Sequence, residues 1–208
     1  MTQQIMSDRF SIRIKCVALT HLPTRWGTFR ALGFEGPKDE KLETAVVLIM
    51  GDILSSAPLV RIHSECFTGD IFGSERCDCG EQLNHAMQTI AEEGAGIVIY
   101  ERQEGRGIGL MAKLRAYQLQ DQGFDTVEAN EHLGFAADAR DFLLPAEILE
   151  FLGVTRVRLL TNNPQKIAAL ETAGIDVERV DCEVTPSRHA VPYLLTKKTK
   201  MGHILSAV

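Results

Sequence analysis

Three of the five cysteines fall within fourteen residues: Cys66, then Cys77 and Cys79, separated by ten positions and by one. A fold of this chain must bring those sulfurs together or account for each alone. His63, Glu65, Asp70 and Asp78 are interleaved with them. Thiolates this close read as a metal site, and soft sulfur ligands select zinc or an iron–sulfur cluster over magnesium or calcium. A cluster usually takes four cysteines, and Cys16 and Cys182 lie far away in sequence, in apolar strand-like runs. Three thiolates on zinc leave a fourth position for water, the catalytic arrangement; a structural site is closed. Two other readings stay open on spacing alone: a disulfide with one spare thiol, or a structural zinc completed by His63. An odd cysteine count and a polar stretch from Met1 to Arg9, with no apolar leader core, point to a reducing compartment and away from the disulfide.

The 208 residues suffice for one large domain or two small ones. Hydrophobic content of 45% and charged content of 24% are ordinary for a soluble globular protein. No apolar run approaches the ~20 residues of a membrane span, so no membrane partner is expected and the cytoplasm is the expected location. The net charge of -6 disfavours a nonspecific nucleic-acid binder, which carries a basic footprint. It leaves room for a nucleotide, since a few local arginines and a metal can hold a triphosphate on an acidic protein.

Residues 10–19 begin by alternating apolar and polar, as a strand does. Leu22 to Gly27 reads as a turn and Thr28 to Phe34 as a strand, while Gly36 to Leu42, charged and carrying Pro37, reads as an exposed loop. Ala45 to Met50 reads as a buried strand, and Pro58 to His63 as the strand that delivers the cysteine loop. Residues 81–93 place Leu83, Met87 and Ile90 on one helical face, with Gly94 as the cap. Gly96 to Tyr100 is a strand, followed by a glycine-rich turn and a helix from Leu110 to Gln122. The spacing then predicts a helix from Leu144 to Leu152, a strand over Val157 to Leu160, a helix from Pro164 to Thr172 and a strand over Asp176 to Val180. The expected class is α/β: a single compact unit with a mixed β-sheet flanked by helices and a strand-rich N-terminal third. No repeat or linker divides the chain, so residues 1–208 read as one domain, with 1–9 disordered and 185–208 as a C-terminal tail.

Two further stretches carry chemistry. The strand at 96–100 runs into Gly105-Arg106-Gly107-Ile108-Gly109 and a helix, a geometry whose backbone N–H groups and helix N-terminus favour an anion. It is neither a Walker loop nor a dinucleotide fingerprint, but Arg102 and Arg106 offer guanidinium forks suited to phosphate. The guanine edge presents two adjacent donors that one carboxylate can accept, so Glu104 is a candidate reader of guanine. Glu65 competes with it, and a solvated loop acid is the plain alternative. In Thr161-Asn162-Asn163-Pro164-Gln165-Lys166, either asparagine can cap a helix that Pro164 opens. Lys166 in that first turn opposes the helix dipole, which makes sense if an anion shares the site.

Arg61-Ile62-His63-Ser64-Glu65-Cys66, Thr68-Gly69-Asp70 and Arg76-Cys77-Asp78-Cys79-Gly80 together resemble the motifs of GTP cyclohydrolase II, the family that opens GTP at the start of riboflavin biosynthesis. Later stretches extend the likeness: Arg102 to Leu110, Leu119 to Asp121, Asp125 to Asn130, Leu159 to Pro164 and the tail Lys200-Met201-Gly202-His203, so that it runs from about Leu22 to Leu205. The resemblance implies GTP contacts at Arg61, Ile62, His63, Ser64, Glu65, Gln82, Glu104, Gly105, Arg106, Thr126, Thr161 and Lys166, with zinc on Cys66, Cys77 and Cys79. It implies Tyr117 in the reaction, although Leu110 and Leu114 precede it on the same helix and core packing would also explain it. Asp138 matches a general acid/base and Arg140 a proposed nucleophile at the α-phosphate. A protonated guanidinium has no lone pair to offer, so charge stabilisation by Arg140 is the simpler role. Magnesium on the triphosphate and a homodimer are further implications.

Two rivals stand beside this. His63-Ser64-Glu65 followed by Cys77 and Cys79 echoes a zinc deaminase pattern, but with C-x-C for C-x-x-C and Arg76 for the proline. A non-catalytic, zinc-stabilised nucleotide-binding module would need four protein ligands. The chain also departs from the family over Thr185 to Pro192, which lacks the expected asparagine-rich run, so no path is assigned to the tail. The butanone-phosphate synthase domain often fused to this family has no room in this length.

Overall fold

The computed structural model describes residues 14–38, 41–206 and 208. Residues 1–9 and the start of the predicted first strand lie outside them. β1 (Lys15–Thr24), β2 (Gly27–Lys38) and β3 (Lys41–Met50) form an antiparallel run. β3 pairs antiparallel with β5 (Gly96–Glu101), and β4 (Leu59–Ser64) lies parallel between β5 and β6 (Arg156–Leu160), followed by β7 (Asp176–Val180). The result is one seven-stranded mixed sheet in the order β1-β2-β3-β5-β4-β6-β7. The strand-rich N-terminal third and the α/β class are as the sequence predicts.

Helices cover both faces because the central strands are apolar on both. In β5, Ile97 and Ile99 point one way and Val98 the other, the two-residue period of a strand. Ile97 and Ile99 join Val47, Val60 and Ile62 against Ile148 and Leu149 of α5 (Leu143–Phe151) and Leu170 of α6 (Pro164–Thr172). On the other face, Ala86, Met87 and Ile90 of α2 (Cys79–Glu93) pack on Phe29, Leu59, Val98 and Leu160. α2 ends at Gly94 in the left-handed region, as predicted.

The N-terminal turns needed correction. Leu22, Pro23 and Thr24 belong to β1, paired with Phe29, Thr28 and Gly27, so the turn is only Arg25-Trp26. The stretch predicted as a loop is largely strand: Gly36 and Pro37 belong to β2 and Leu42 to β3, with Gly36 paired to Glu43 and Pro37 to Leu42. Beyond Glu35, β2 has no partner on its β1 side among the described residues, and proline is tolerated at such an edge. Three further helices went unpredicted: α1 (Phe67–Asp70), α4 (Thr126–His132) and α7 (Val191–Met201). α3 spans Leu110–Gln120. No helix among the described residues is long and apolar enough to cross a membrane.

Strands β5, β4 and β6 are parallel neighbours, so their carboxyl ends open on the same edge of the sheet. Ligands of open α/β sheets bind outside such ends. Pairing of β4 with β6 covers only Leu59 and Val60, and past that point the strands part.

Candidate active site

Each chemistry-bearing stretch leaves one of those three strand ends. β4 runs into Glu65 and Cys66, β5 into Glu104 and the glycine turn, and β6 into Thr161 to Lys166. The sulfurs of Cys66, Cys77 and Cys79 converge to within 4.8 Å of one another, with 3.6 Å between Cys66 and Cys77. A tetrahedral zinc with Zn–S bonds of ~2.3 Å spaces its sulfurs by about 3.8 Å, so this donor set fits zinc. A disulfide needs ~2.05 Å, and all five cysteines are free. Cys79 opens α2, and its hydrogen bonds to the Cys66 and Cys77 sulfurs together with burial raise its thiol well above the ordinary value. Hydrogen bonds from the Cys77 and Cys79 thiols hold Cys66 far below the ordinary thiol value, and donating to it raises Cys77 to about 11. Gly69 makes the convergence possible, because a Cβ there would stand 3.2 Å from both the Cys66 and Cys77 sulfurs.

His63 is not a fourth ligand. Its Nε2 faces both oxygens of Asp70 at 3.1 Å, and its ring stacks on Tyr100. Asp70 also accepts from the Tyr100 hydroxyl at 2.8 Å and the Cys66 N–H at 3.0 Å, so the pair buttresses the metal loop. Among the described residues, the group of His, Cys, Asp and Glu side chains close enough to hold a metal ion comprises the three cysteines alone. That removes both the His63-completed structural zinc and the deaminase ligand set. Cys182 is distant in sequence but near in space: it is buried, and its sulfur accepts from Arg61 at 3.3 Å.

Glu104 is buried and its oxygens are occupied. Oε2 accepts from the Phe67 N–H at 2.6 Å, and Oε1 accepts from the Gly105 N–H and the Lys113 ammonium, each at 2.7 Å. Lys113 also donates to Cys66 at 3.1 Å. Burial opposes its charge, but the Cys66 thiolate and Glu104 outweigh this and hold it above the ordinary lysine value. Glu65 is half-buried and pairs with Arg102 at 3.8 Å, with Glu104, Asp70 and Lys113 also near enough to act on its charge. Arg102 itself is exposed to solvent and is not among the residues that line the cysteine cavity.

The glycine turn spends two of its amides within the protein. Gly105, Arg106 and Gly107 all have positive φ, which turns the Gly105 amide inward to the Glu104 carboxylate, while the Gly109 amide bonds the Glu104 carbonyl. These amides are consumed within the protein, so the turn offers no open backbone cradle at either. Its cavity-facing charge is the Arg106 side chain, held by Thr126 Oγ1 at 3.0 Å and the Ala137 carbonyl.

Tyr117 lines the same cavity as the three cysteines, and its hydroxyl lies 3.2 Å from Thr68 Oγ1. Leu114 is exposed, so the core-packing explanation for this tyrosine fails. Burial raises the phenol above its usual value and keeps it a donor. Arg140 forks onto Asp138, with Nε–Oδ1 at 2.9 Å and Nη2–Oδ2 at 2.6 Å, and donates to Ser64 at 3.3 Å. Burial raises Asp138, but the Arg140 hydrogen bonds and charge outweigh it and hold the carboxyl below the usual range.

A second compartment continues from the first across Ser64, Arg106 and Arg140. Arg61 enters it from β4, tied to the Leu160 carbonyl at 3.1 Å and to Gln82 at 2.7 Å. Gln82 passes its other amide atom to Asp78. Thr161 caps the turn by accepting from the Asn163 N–H, and Asn163 in turn caps α6. Lys166 is buried, donates to the Ile62 carbonyl at 2.8 Å, and is pushed well below its ordinary value by burial and by Arg61 and Arg140. Of the sites implied by the resemblance, Ile62 and Asp138 line neither compartment: Ile62 packs in the core and Asp138 stands behind Arg140.

The family model for GTP cyclohydrolase II matches residues 15–181. The chain belongs to the GTP cyclohydrolase II family. A protein named GTP cyclohydrolase-2 from Enterobacter sp. is 55% identical over 197 residues, covering 94% of this chain and 100% of that one. Riboflavin biosynthesis protein RibBA from Bacillus cytotoxicus is 54% identical over 187 residues, covering 89% of this chain and 47% of that one. The chain thus spans about half the length of the RibBA relatives it matches. A solved two-domain 3,4-dihydroxy-2-butanone 4-phosphate synthase, RibBX from A. baumannii, is similar over 82% of this chain and 41% of that one, at 18% identity and a TM-score of 0.48.

Sequence reasoning missed Lys113, although it sits four residues before Tyr117, a spacing that puts both on one helical face. Tyr193, Lys197 and His203 were missed as well; all three line the second compartment.

Proposed function

We propose that this chain opens the imidazole ring of GTP by zinc-dependent hydrolysis, releasing formate and pyrophosphate and leaving a diaminopyrimidine ribosylamino phosphate for riboflavin biosynthesis. The observation that carries this is the pairing of compartments. Three cysteine sulfurs sit at one end, and at the other a cationic compartment has no carboxylate among its described lining residues. A purine nucleoside triphosphate is polarised in the same way, and the α-phosphate falls between its ends, where Arg140 stands on the boundary.

Zinc on Cys66, Cys77 and Cys79 supplies, when bound, Lewis-acid activation of water near neutral pH. Tyr117 donates its phenol hydrogen toward the reacting imidazole. Glu65, with acceptor capacity to spare, takes the two guanine donors; Glu104 holds Lys113 beside the thiolates. Arg140 stabilises charge on the transferring phosphoryl group, and Asp138 keeps it oriented and cationic, which favours the electrostatic role over a nucleophilic one. Arg61, Arg106, Thr161 and Lys166 bind the phosphates, with magnesium as their counterion. A homodimer in the cytoplasm completes the reading.

The test is incubation of zinc-loaded protein with GTP. Formate, pyrophosphate and the pyrimidine should appear together in equal amounts. Release of ammonia without formate, or unchanged GTP, overturns the reading.

A further inference from the structure

Four buried side-chain polar atoms among the described residues have no hydrogen-bond partner: Arg61 Nε, Asn162 Nδ2, Asn163 Nδ2 and His203 Nδ1. All four residues line the same cationic compartment. Buried polar groups in native proteins are nearly always paired, and the first three of these atoms can only donate. Unpartnered polar atoms, three of them donors, on residues that line a compartment with no carboxylate among its described lining residues ask for an acceptor-rich ligand from outside the chain.

The fourth atom comes from the C-terminal segment, beyond residue 181 where the family match ends. Within α7, Leu194 and Thr196 are buried, and after it Gly202, at φ 66, reverses the chain. The His203 N–H then bonds the Lys197 carbonyl at 3.1 Å, and the Ile204 N–H bonds the Asn162 carbonyl at 2.9 Å. This pins the tail against the turn after β6 and sets His203 on the cavity wall. Lys197 lines the same wall, its ammonium 4.4 Å from the Tyr193 ring centroid and 3.1 Å from Asp78 Oδ1. One N–H is spent on Asp78, and an ammonium has three. Burial, then Lys197 and Arg140, push the His203 imidazole down to about 3, so it faces the cavity as a neutral ring.

We propose that α7 and the tail behind it form a wall of the phosphate compartment, with Lys197 and His203 as direct ligands of the substrate's polyphosphate chain. This rests on the proposed reading only in taking the compartment's ligand to be a polyphosphate. The competing role for Lys197 is purely structural: a clamp, through Asp78, on the loop that carries Cys77 and Cys79. The polyphosphate proposal also gives the unpartnered Asn162 and Asn163 amides something to donate to, which the clamp does not.

Inorganic tripolyphosphate separates the two, because it binds without a purine and without turnover. Calorimetry on zinc-loaded protein should show binding weakened about tenfold or more in Lys197→Met, the loss of one charge-assisted hydrogen bond. His203→Ala should weaken it by about threefold to tenfold, a neutral donor's share. Lys197→Arg should restore most of the affinity, and bound zinc should match wild type in all three. Unchanged tripolyphosphate affinity in Lys197→Met overturns the proposal, as does a wild-type protein that does not bind tripolyphosphate. So does loss of zinc in Lys197→Met combined with wild-type binding in His203→Ala, which assigns the clamp. Should Lys197→Met fail to fold, His203→Ala decides alone: weakened binding supports the proposal and unchanged binding overturns it. Formate release from GTP by the wild type is scored separately, so the ring-opening reading can fail while this one stands.

Discussion

Two carboxylates face the thiolate end of the cavity, and they differ in how much acceptor capacity each has left. Glu104 already serves Phe67, Gly105 and Lys113, whereas among the described residues the Glu65 carboxylate makes one ion pair, with Arg102 at 3.8 Å. Sequence could nominate both but could not rank them, because the ranking depends on an amide from α1 and an ammonium from α3. It could find the three cysteines, because their crowding has few structural outcomes. Base selectivity tests the ranking. Glu65→Gln should shrink the preference in kcat/KM for GTP over inosine triphosphate, which lacks the amino group, by about tenfold or more, since a site built around a substrate donor penalises its absence heavily. Glu104→Gln should instead lower bound zinc, because Lys113 loses its partner beside Cys66. The opposite pattern would return guanine to Glu104.

Elements with an apolar face were legible: α2, α5, α6 and the central strands each show a period that burial enforces. Of the helices missed, α1 is a four-residue turn without a side-chain cap, while α4 and α7 carry their signals at their ends. α4 is seven residues long and opens with a capping box, in which Asp125 accepts from the Val127 and Glu128 N–H groups while the Glu128 side chain accepts from the Asp125 N–H. That pattern, Asp-x-x-Glu, was readable in the sequence. Its consequence reaches the site, since Thr126 in the first turn holds Arg106. Asp125→Ala should therefore cost about 1 kcal/mol of stability, the usual value of such a cap, and should also raise KM for GTP as Arg106 loses its anchor. Asp125→Asn keeps a capping oxygen but loses the ion pair to Lys200, and should sit close to wild type in both. Thermal unfolding and steady-state kinetics on the pair check this; equal losses in the two variants would assign the effect to the Lys200 pair.

Across the whole molecule, the sheet order sets the reacting centres apart. β4 and β5 supply the thiolate end, β4 and β6 the cationic end, and the parting of β4 from β6 after Val60 opens the passage between them. No single stretch of sequence contains that arrangement, which depends on strands distant along the chain being neighbours in space. It implies that ring opening and pyrophosphate release can be separated. Cys66→Ser should lose zinc and formate release but leave Arg61, Arg106, Arg140 and Lys166 in place, so GTP should still yield pyrophosphate. Arg140→Lys probes the other half. Lysine keeps the charge but not the two-pronged bond to Asp138, so a purely electrostatic Arg140 predicts reduced yet measurable pyrophosphate release, with formate release less affected. A covalent role predicts background pyrophosphate release in the same variant. If Cys66→Ser binds GTP normally yet releases no pyrophosphate, the two centres act in a fixed order with ring opening first, and spatial separation does not make them independent.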